Sequence, residues 1–332
     1  MLDDIGFPAI SEKRAKEVSE FSPLQRCELI ITDSCNLKCS YCKGLSSEYG
    51  KTINPLHALN LIDEWAKHNL QHANFSGGEP MCSSFIELYV QRLHARGVPF
   101  ISLSTNGTFP VKQYENLVKL GATHFAISLD GMNADIADKM AGVSGAWEKA
   151  VKSIIALSKI SYVTASTVFN KDNYHQAAEI IQFIHSLGVA DIRFSTATQY
   201  NKLIDQLDKI TNEILDVHPI LKFRVNNILN GKNTRGSNNC KKCWLPLDDM
   251  VVSNKYHFPC SMMARENGQY IGSILNDDGT NKTMKQIRHE RALWIESHDC
   301  STNEICQKYC MDFIIAHNNA VNKYKDQNNA NI

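Results

Sequence analysis

Six apolar, strand-like runs separated by amphipathic helical patterns predict an α/β fold for this 332-residue chain. The runs recur roughly every 30 residues, which is the length of a strand with its crossover helix. Such units build parallel sheets through right-handed crossovers. Six of them, fewer than the eight of a closed barrel, predict a partial, TIM-like (β/α)6 barrel. A cysteine-rich segment follows and predicts a second, smaller C-terminal module.

The elements follow from local patterns. Strands are expected at Leu29–Thr32, His72–Ser76, Phe100–Ser104, His124–Leu129, Tyr162–Phe169 and Asp191–Ser195. Apolar residues at helical spacing predict helices between them, as at 55–69, 146–159 and 201–216. A polar, turn-rich run at 230–239 predicts a domain boundary. We therefore divide the chain into a lead-in segment 1–26, a core barrel 27–229, a cysteine-rich module 230–317 and a disordered tail 318–332, which is poor in apolar residues.

Composition excludes several classes of protein. The 35 basic and 35 acidic residues balance to a formal charge of zero, so no global field favours nucleic acid. The apolar runs fall short of the ~20 residues that cross a bilayer, and the N-terminal Met1-Leu2-Asp3-Asp4 is acidic where a signal peptide is basic. Eleven cysteines are too few for a disulfide scaffold. We expect a cytoplasmic protein, with no membrane partner, whose clustered cysteines bind metal.

The most informative motif is Cys35-Asn-Leu-Lys-Cys39-Ser-Tyr-Cys42, directly after the first predicted strand. A [4Fe–4S] cluster takes four ligands, so three thiolates from one loop leave one iron open to a substrate or cofactor. Zinc is the alternative, but structural zinc sites close all four positions, and the trio has no fourth partner nearby in sequence. The spacing therefore favours an iron–sulfur cluster.

Four more segments carry related signals, each at the end of a predicted strand: Phe75-Ser-Gly-Gly-Glu-Pro80, Ser104-Thr-Asn-Gly107, Ser128-Leu-Asp-Gly131 and Ala165-Ser-Thr-Val168. Parallel α/β sheets build their sites at that edge. Together with the trio, this ordered set resembles the radical S-adenosylmethionine (radical SAM) superfamily.

The resemblance implies roles for individual residues. The cysteine trio would hold the cluster whose open iron binds SAM, and the SAM contacts would come from Tyr41, Gly77, Gly78, Glu79, Ser104, Asn106, Ser128 and Ser166. Tyr41 would pack beside the adenine, the two glycines would let the backbone approach SAM, and Glu79 would pair with the methionine ammonium. Lys139 would meet the SAM carboxylate as a point charge, with a solvated lysine as the alternative.

A second set of cysteines lies in the last third of the chain: Cys240, Cys243, Cys260, Cys300, Cys306 and Cys310. Cys243 and Cys260 flank a predicted hairpin, which would bring their thiols together. The hairpin and the downstream spacing resemble the SPASM or Twitch extension of radical SAM enzymes, which carries auxiliary [4Fe–4S] clusters. Ser297 stands where that extension has a further cysteine, and no cysteine follows Cys310, so a second auxiliary cluster is not expected.

Carried over by position, the pattern implies one auxiliary cluster on Cys240, Cys243, Cys260 and Cys310. Two alternatives stay open. Either Cys300 or Cys306 replaces Cys240 or Cys310, or the cysteines form a zinc ribbon.

The resemblance implies reductive cleavage of SAM to a 5′-deoxyadenosyl radical that removes a substrate hydrogen atom, with an electron from a reductant such as flavodoxin or ferredoxin. An auxiliary cluster gives a second electron somewhere to go, so we expect oxidation of a small polar metabolite. Alternatives are a radical SAM epimerase, with Cys82, Cys300 or Cys306 returning hydrogen, and an enzyme that modifies a peptide. The remote alternative is a non-catalytic iron–sulfur or zinc protein.

Overall fold

The computed structural model describes residues 11–44, 51–196, 200–231 and 240–329. Its strands are β1 Arg26–Thr32, β2 His72–Gly77, β3 Phe100–Thr105, β4 His124–Ser128, β5 Tyr162–Phe169, β6 Asp191–Thr196, β7 Asp249–Ser253, β8 Tyr256–Phe258 and β9 Gly272–Ser273. The helices are α1 Glu12–Glu17, α2 Pro55–Lys67, α3 Ile86–Ala95, α4 Val111–Lys119, α5 Ala134–Ala141, α6 Ala146–Leu157, α7 Ala177–Ser186, α8 Tyr200–Leu207, α9 Asn212–Val217, α10 Pro219–Leu229, α11 Ser261–Arg265, α12 Met284–Ser297, α13 Glu304–Tyr309 and α14 Asp312–Asn329.

One sheet runs through these elements in the order β6-β5-β4-β3-β2-β1-β7-β8-β9. Every pair from β6 across to β7 is parallel, and β7, β8 and β9 are antiparallel. The six predicted strands are confirmed, and the predicted α/β partial barrel is the observed architecture. A helix follows each of the first five strands and connects it to the next, because a parallel pair needs a long crossover.

The helices pack their apolar faces on the outside of the sheet. In α2, for example, Asn54 caps the first turn, Pro55 begins the helix, and Leu61, Ile62 and Trp65 are buried in the core. Proline fits this position because the first helical N–H has no partner within the helix. The helices thus leave the opposite face of the sheet to polar side chains.

That opposite face is linked by side-chain hydrogen bonds between neighbouring strands. Ser76 donates to Glu28 at 2.6 Å, and Ser102 donates to Asn74 at 2.7 Å. Adjacent strands place Ser128 beside Ser166, and Ser166 beside Arg193. The concave interior of the partial barrel is therefore polar and can hold a polar molecule.

The cysteine-rich segment is joined to the core by backbone hydrogen bonds. Strand β7 pairs in parallel with β1, with Leu29 opposite Val252, and turns directly into β8. The buried Arg291 donates to the carbonyls of Pro246, Asp249 and Phe258 and so holds this hairpin. The sheet continues past the predicted boundary at 230–239, most of which lies outside the described residues.

Helix α14 spans Asp312–Asn329 and so includes most of the segment 318–332 that the composition predicts to be disordered, while 330–332 lie outside the described residues. Two of its asparagines accept hydrogen bonds from Trp244. Asn318 accepts from the Trp244 N–H at 2.8 Å, and Asn322 accepts from the Trp244 indole N–H at 2.6 Å. Val321 is buried between them. The helix packs here with few apolar residues, because its asparagine side chains accept from the backbone and indole N–H groups of Trp244.

Within the described residues, none of the helices combines the length and the apolar character that a bilayer crossing requires.

Replacing Asn318 tests whether the tail is ordered. Asn318 is buried and accepts from the backbone N–H of the half-buried Trp244. Asn318→Ala leaves that N–H without its acceptor, so we expect a loss of about 1–3 kcal/mol in the free energy of unfolding. Urea titration followed by tryptophan fluorescence measures it. The exposed Lys323→Ala on the same helix is the control and should change little. Equal stability of the two variants would contradict an ordered α14.

Candidate active site

The cysteine trio lies on the loop that leaves the C-terminal end of β1. Cys35 and Cys42 are exposed and Cys39 is half-buried. The N–H of Leu37 points at Cys35 Sγ over 3.4 Å, and the N–H of Gly44 points at Cys42 Sγ over 3.3 Å. Burial raises the pKa of Cys39 to about 11. Three soft sulfur donors in one accessible loop, two of them facing backbone donors, fit a cubane cluster with one open iron.

A glycine pair after β2 allows the β1 loop to pass at close range. The N–H of Gly78 donates to the carbonyl of Thr32 at 2.8 Å, and the N–H of Glu79 donates to the carbonyl of Ser34 at 2.8 Å. A Cβ on Gly77 would lie 2.3 Å from the Thr32 oxygen, and one on Gly78 would lie 2.3 Å from the Ser34 oxygen. In this structure the glycines are required by the backbone that leads to Cys35.

Glu79 is turned into the protein. Its carboxylate accepts from Thr105 Oγ1 at 2.6 Å, from the Asn106 N–H at 2.7 Å and from the Met81 N–H at 3.1 Å. Burial raises its pKa, and these donors oppose the rise. Glu79 thus ties the glycine turn to the end of β3, which is a positioning role. Its pairing with a SAM ammonium stays a prediction.

Asn106 connects the end of β3 to the cysteine loop. Its amide nitrogen donates to Asn36 Oδ1 at 2.8 Å and lies 4.0 Å from Cys35 Sγ. Its amide oxygen accepts from the Thr108 hydroxyl at 2.7 Å. The structure therefore brings this predicted SAM contact to the first cysteine of the trio.

Tyr41 bonds to the end of β4. Its hydroxyl donates to Asp130 Oδ2 at 2.5 Å, and the Val168 N–H donates to Asp130 Oδ1 at 2.8 Å. Burial raises the pKa of Asp130 to about 6, and both donors oppose the rise. This pair anchors the third cysteine's segment to two strand ends. The hydrogen bond uses only the hydroxyl of Tyr41, and the packing of its ring against the adenine of SAM stays a prediction.

The remaining predicted strand-end residues lie on the interior face of the sheet. Beside them lies Arg193, which the sequence analysis did not single out. Ser104 donates to Asn74 at 3.3 Å, Ser128 is exposed, and Ser166 accepts from the Arg193 guanidinium at 3.1 Å. Arg193 reaches solvent inside the barrel, yet the surrounding protein and the nearby positive charge of Arg26 lower its pKa to about 10. A polar residue between Ile192 and Phe194 was the available signal, because alternation puts it on the interior face.

Cys82 and Lys139 occupy different places. Cys82 is exposed beside the trio. The protein around it still removes part of its solvent, and this partial desolvation, together with the charges of Glu79 and Cys35, raises its pKa. Lys139 lies on α5 with a side chain 74% exposed, and its ammonium is 3.6 Å from Asp172. This arrangement favours a solvated lysine, and its contact with SAM stays a prediction. Cys27, by contrast, is fully buried in the core.

The six C-terminal cysteines converge from four segments of chain. Burial raises the pKa of Cys310, and the neighbouring thiols of Cys243, Cys260, Cys300 and Cys240 raise it further. The neighbouring thiols of Cys243 and Cys306 perturb the pKa of Cys300, which is raised. Cys240 Sγ also bonds to Asn319 Oδ1 at 3.0 Å. The structure thus gathers the predicted auxiliary ligands and both predicted substitutes, so the choice of four stays a prediction.

Lys43, next to Cys42, connects the two cysteine sites. Its ammonium contacts Glu266 at 2.5 Å and lies 4.3 Å from the ring centre of Tyr309, the neighbour of Cys310. The cysteine loop of the barrel therefore packs directly against the C-terminal segment.

Comparison with known proteins agrees with this geometry. The sequence model described as "Radical SAM superfamily" matches residues 29–184, which contain the cysteine trio and the strand-end motifs. GTP 3′,8-cyclase of Aquifex aeolicus is 26% identical over 180 residues, or 52% of this chain and 56% of the relative. The AdoMet-dependent heme synthase of Oleidesulfovibrio alaskensis is 30% identical over 174 residues, or 49% and 44%. The chain thus spans about half the length of these curated relatives.

Solved structures share the fold over more of the chain. A complex of anSMEcpe with AdoMet and a peptide superposes with a TM-score of 0.62 at 15% identity, covering 92% of this chain and 98% of that one. Streptococcus suis SuiB, bound to its precursor peptide SuiA, gives 0.57 at 15% identity, covering 84% and 67%. These similarities establish the fold. The superfamily uses a [4Fe–4S] cluster and SAM, and the trio here supplies suitable ligands.

Gly78→Ala should displace the cysteine loop. The new Cβ meets the backbone oxygens of Asp33 and Ser34 at 2.6 and 2.3 Å, so one backbone must move. We expect at least a tenfold loss of cluster at the trio after anaerobic reconstitution, measured by iron analysis and electron paramagnetic resonance. Gly97→Ala is the control, because its φ of +78° strains alanine by about 1 kcal/mol in open space far from the loop. Equal cluster loading in both variants would contradict this role of Gly78.

Proposed function

We propose that this chain is a radical SAM oxidoreductase that removes a hydrogen atom from a small polar substrate held inside the partial barrel. The observation that carries the proposal is the loop of three accessible cysteines at the C-terminal edge of the sheet, bound to a glycine turn and facing a polar interior. The superfamily match over residues 29–184 supports it.

The protein's own groups would hold and orient the cofactors. Cys35, Cys39 and Cys42 would bind a [4Fe–4S] cluster, which together with SAM supplies a 5′-deoxyadenosyl radical. Glu79 and Asn106 keep Cys35 in place, and Tyr41 with Asp130 keeps the Cys42 end in place. Ser128 and Ser166 lie side by side at the next strand ends, where their hydroxyls can bond to a ribose or a carboxylate.

A second group of cysteines, in a segment that contacts the cysteine loop, supports oxidation as the outcome. Cys240, Cys243, Cys260 and Cys310 are gathered at the C-terminal segment, and Lys43 links that segment to the cysteine loop. An auxiliary [4Fe–4S] cluster there can accept an electron. A flavodoxin or ferredoxin would supply the reducing electron to the protein.

Two arginines on the interior face of the partial barrel support a class of substrate. Arg193 faces it with a serine as its hydrogen-bond acceptor, and Arg265 lies 3.8 Å from Glu28 on the same polar face. A guanidinium in that position recognises a carboxylate or a phosphate through paired N–H donors. Small metabolites bearing such a group are therefore the first substrates to screen. Peptide modification is the alternative, because the similar SuiB and anSMEcpe structures contain peptides.

Replacing the trio tests the proposal directly. With Cys35, Cys39 and Cys42 all changed to alanine, no ligand holds the first cluster, so 5′-deoxyadenosine formation should fall to background. About four irons should remain if one auxiliary cubane is bound. Dithionite-driven SAM cleavage, followed by liquid chromatography and mass spectrometry, measures the loss. Cys27→Ala, which removes a thiol far from the loop, should still cleave SAM. SAM cleavage by the triple variant would refute the assignment.

Heavy water separates oxidation from epimerisation once a substrate is found. A dehydrogenation fixes no solvent deuterium at the reacting carbon, and we expect that result. A thiol that returns hydrogen would place deuterium there, because thiol hydrogens exchange with solvent. Cys82→Ala should retain product formation, whereas deuterium incorporation that disappears in Cys82→Ala would identify an epimerase and its donor. Mass spectrometry of the product distinguishes the two.

A further inference from the structure

One group of side chains at the edge of the C-terminal cysteines includes a histidine that the sites described so far leave unused. The ligand atoms of His298, Cys300 and Cys306 all lie within 4.8 Å of one another, and in the described part of the chain no other three histidine, cysteine or carboxylate groups are gathered so closely. The gap between His298 Nε2 and Cys306 Sγ is 3.6 Å.

That spacing matches the ligands of a single ion. With bonds of about 2.3 Å to sulfur and about 2.0–2.1 Å to nitrogen, a tetrahedral zinc ion holds a thiolate and an imidazole about 3.6 Å apart. The thiolates of a cubane bind four different irons and therefore stand further apart. Two thiolates and one imidazole are also a ligand set that suits zinc.

The surrounding structure holds all three residues in place. The His298 ring stacks on the Trp294 ring with centroids 4.0 Å apart, and the backbone N–H of His298 donates to the Trp294 carbonyl. The N–H of Cys300 bonds to Lys241, and the Gln307 amide donates to the Cys300 carbonyl. Asn303 caps the turn that carries Cys306, accepting from its N–H at 3.0 Å. These contacts hold the three residues in the positions that a shared ion would require.

We propose that His298, Cys300 and Cys306 bind one zinc ion, separate from the auxiliary cluster. Binding converts the two thiols to thiolates and releases two protons, while the imidazole binds in its neutral form. The fourth position is open to water. This division uses every C-terminal cysteine once: four for the cluster and two for zinc. It stands independently of the proposed reaction.

Metal analysis of the full chain tests the proposal. The protein is loaded anaerobically with iron and sulfide, treated with one equivalent of zinc, desalted, and assayed by mass spectrometry for zinc and iron. We expect about one zinc per chain, reduced at least tenfold in His298→Gln and in Cys306→Ser with iron unchanged. His289→Gln, a mostly exposed histidine on α12, is the matched control and should keep its zinc.

X-ray absorption at the zinc edge provides a readout that needs no variant. The unmodified protein should show two sulfur neighbours and at least one nitrogen neighbour. Three results would overturn the proposal: no zinc retained, zinc retained in both variants, or iron lost together with zinc in His298→Gln. The last would mean that His298 binds the cluster instead.

Discussion

The candidate active site depends on one close backbone contact, in which the glycine turn after β2 lies against the loop that leaves β1. Two hydrogen bonds, from Gly78 to Thr32 and from Glu79 to Ser34, set the path of the chain immediately before Cys35. The contact is possible only because neither glycine carries a Cβ. Glu79 extends it to β3 through Thr105 and Asn106. Three strand ends thus act as one support for the cysteines.

This support explains why buried polar groups are tolerated here. Burial raises the pKa of both Glu79 and Asp130, so each carboxylate is costly to hold in the charged form. Each is compensated by several donors, and each connects the cysteine loop to a different strand end. A buried carboxylate with all its partners in place specifies one arrangement of the loop. The two buried carboxylates therefore lower the stability of the protein but keep the cysteine loop in one arrangement.

The C-terminal segment is joined to the barrel by its sheet as well as by side chains. Because β7 pairs with β1, the strand that leads to the cysteine trio also forms the edge on which the auxiliary cysteines are built. Arg291 donates hydrogen bonds to both strands of the hairpin, and α14 bonds through Asn318 and Asn322 to Trp244, which precedes the hairpin. Lys43 completes the contact between the two cysteine sites. The two groups of cysteines are therefore attached to one continuous sheet.

The sequence by itself determined the six βα units, the trio and the order of the strand-end motifs, because these signals are local: alternation, helical spacing and short cysteine intervals. Tertiary structure decided what depends on distant partners. It placed β7 beside β1, ordered α14 through Trp244 and directed Glu79 inward to Thr105. It also revealed Arg193 inside the barrel and brought His298 to Cys306. No periodicity records such pairings, since most of them join segments far apart in the chain, and His298 meets Cys306 only because the chain turns between the two helices.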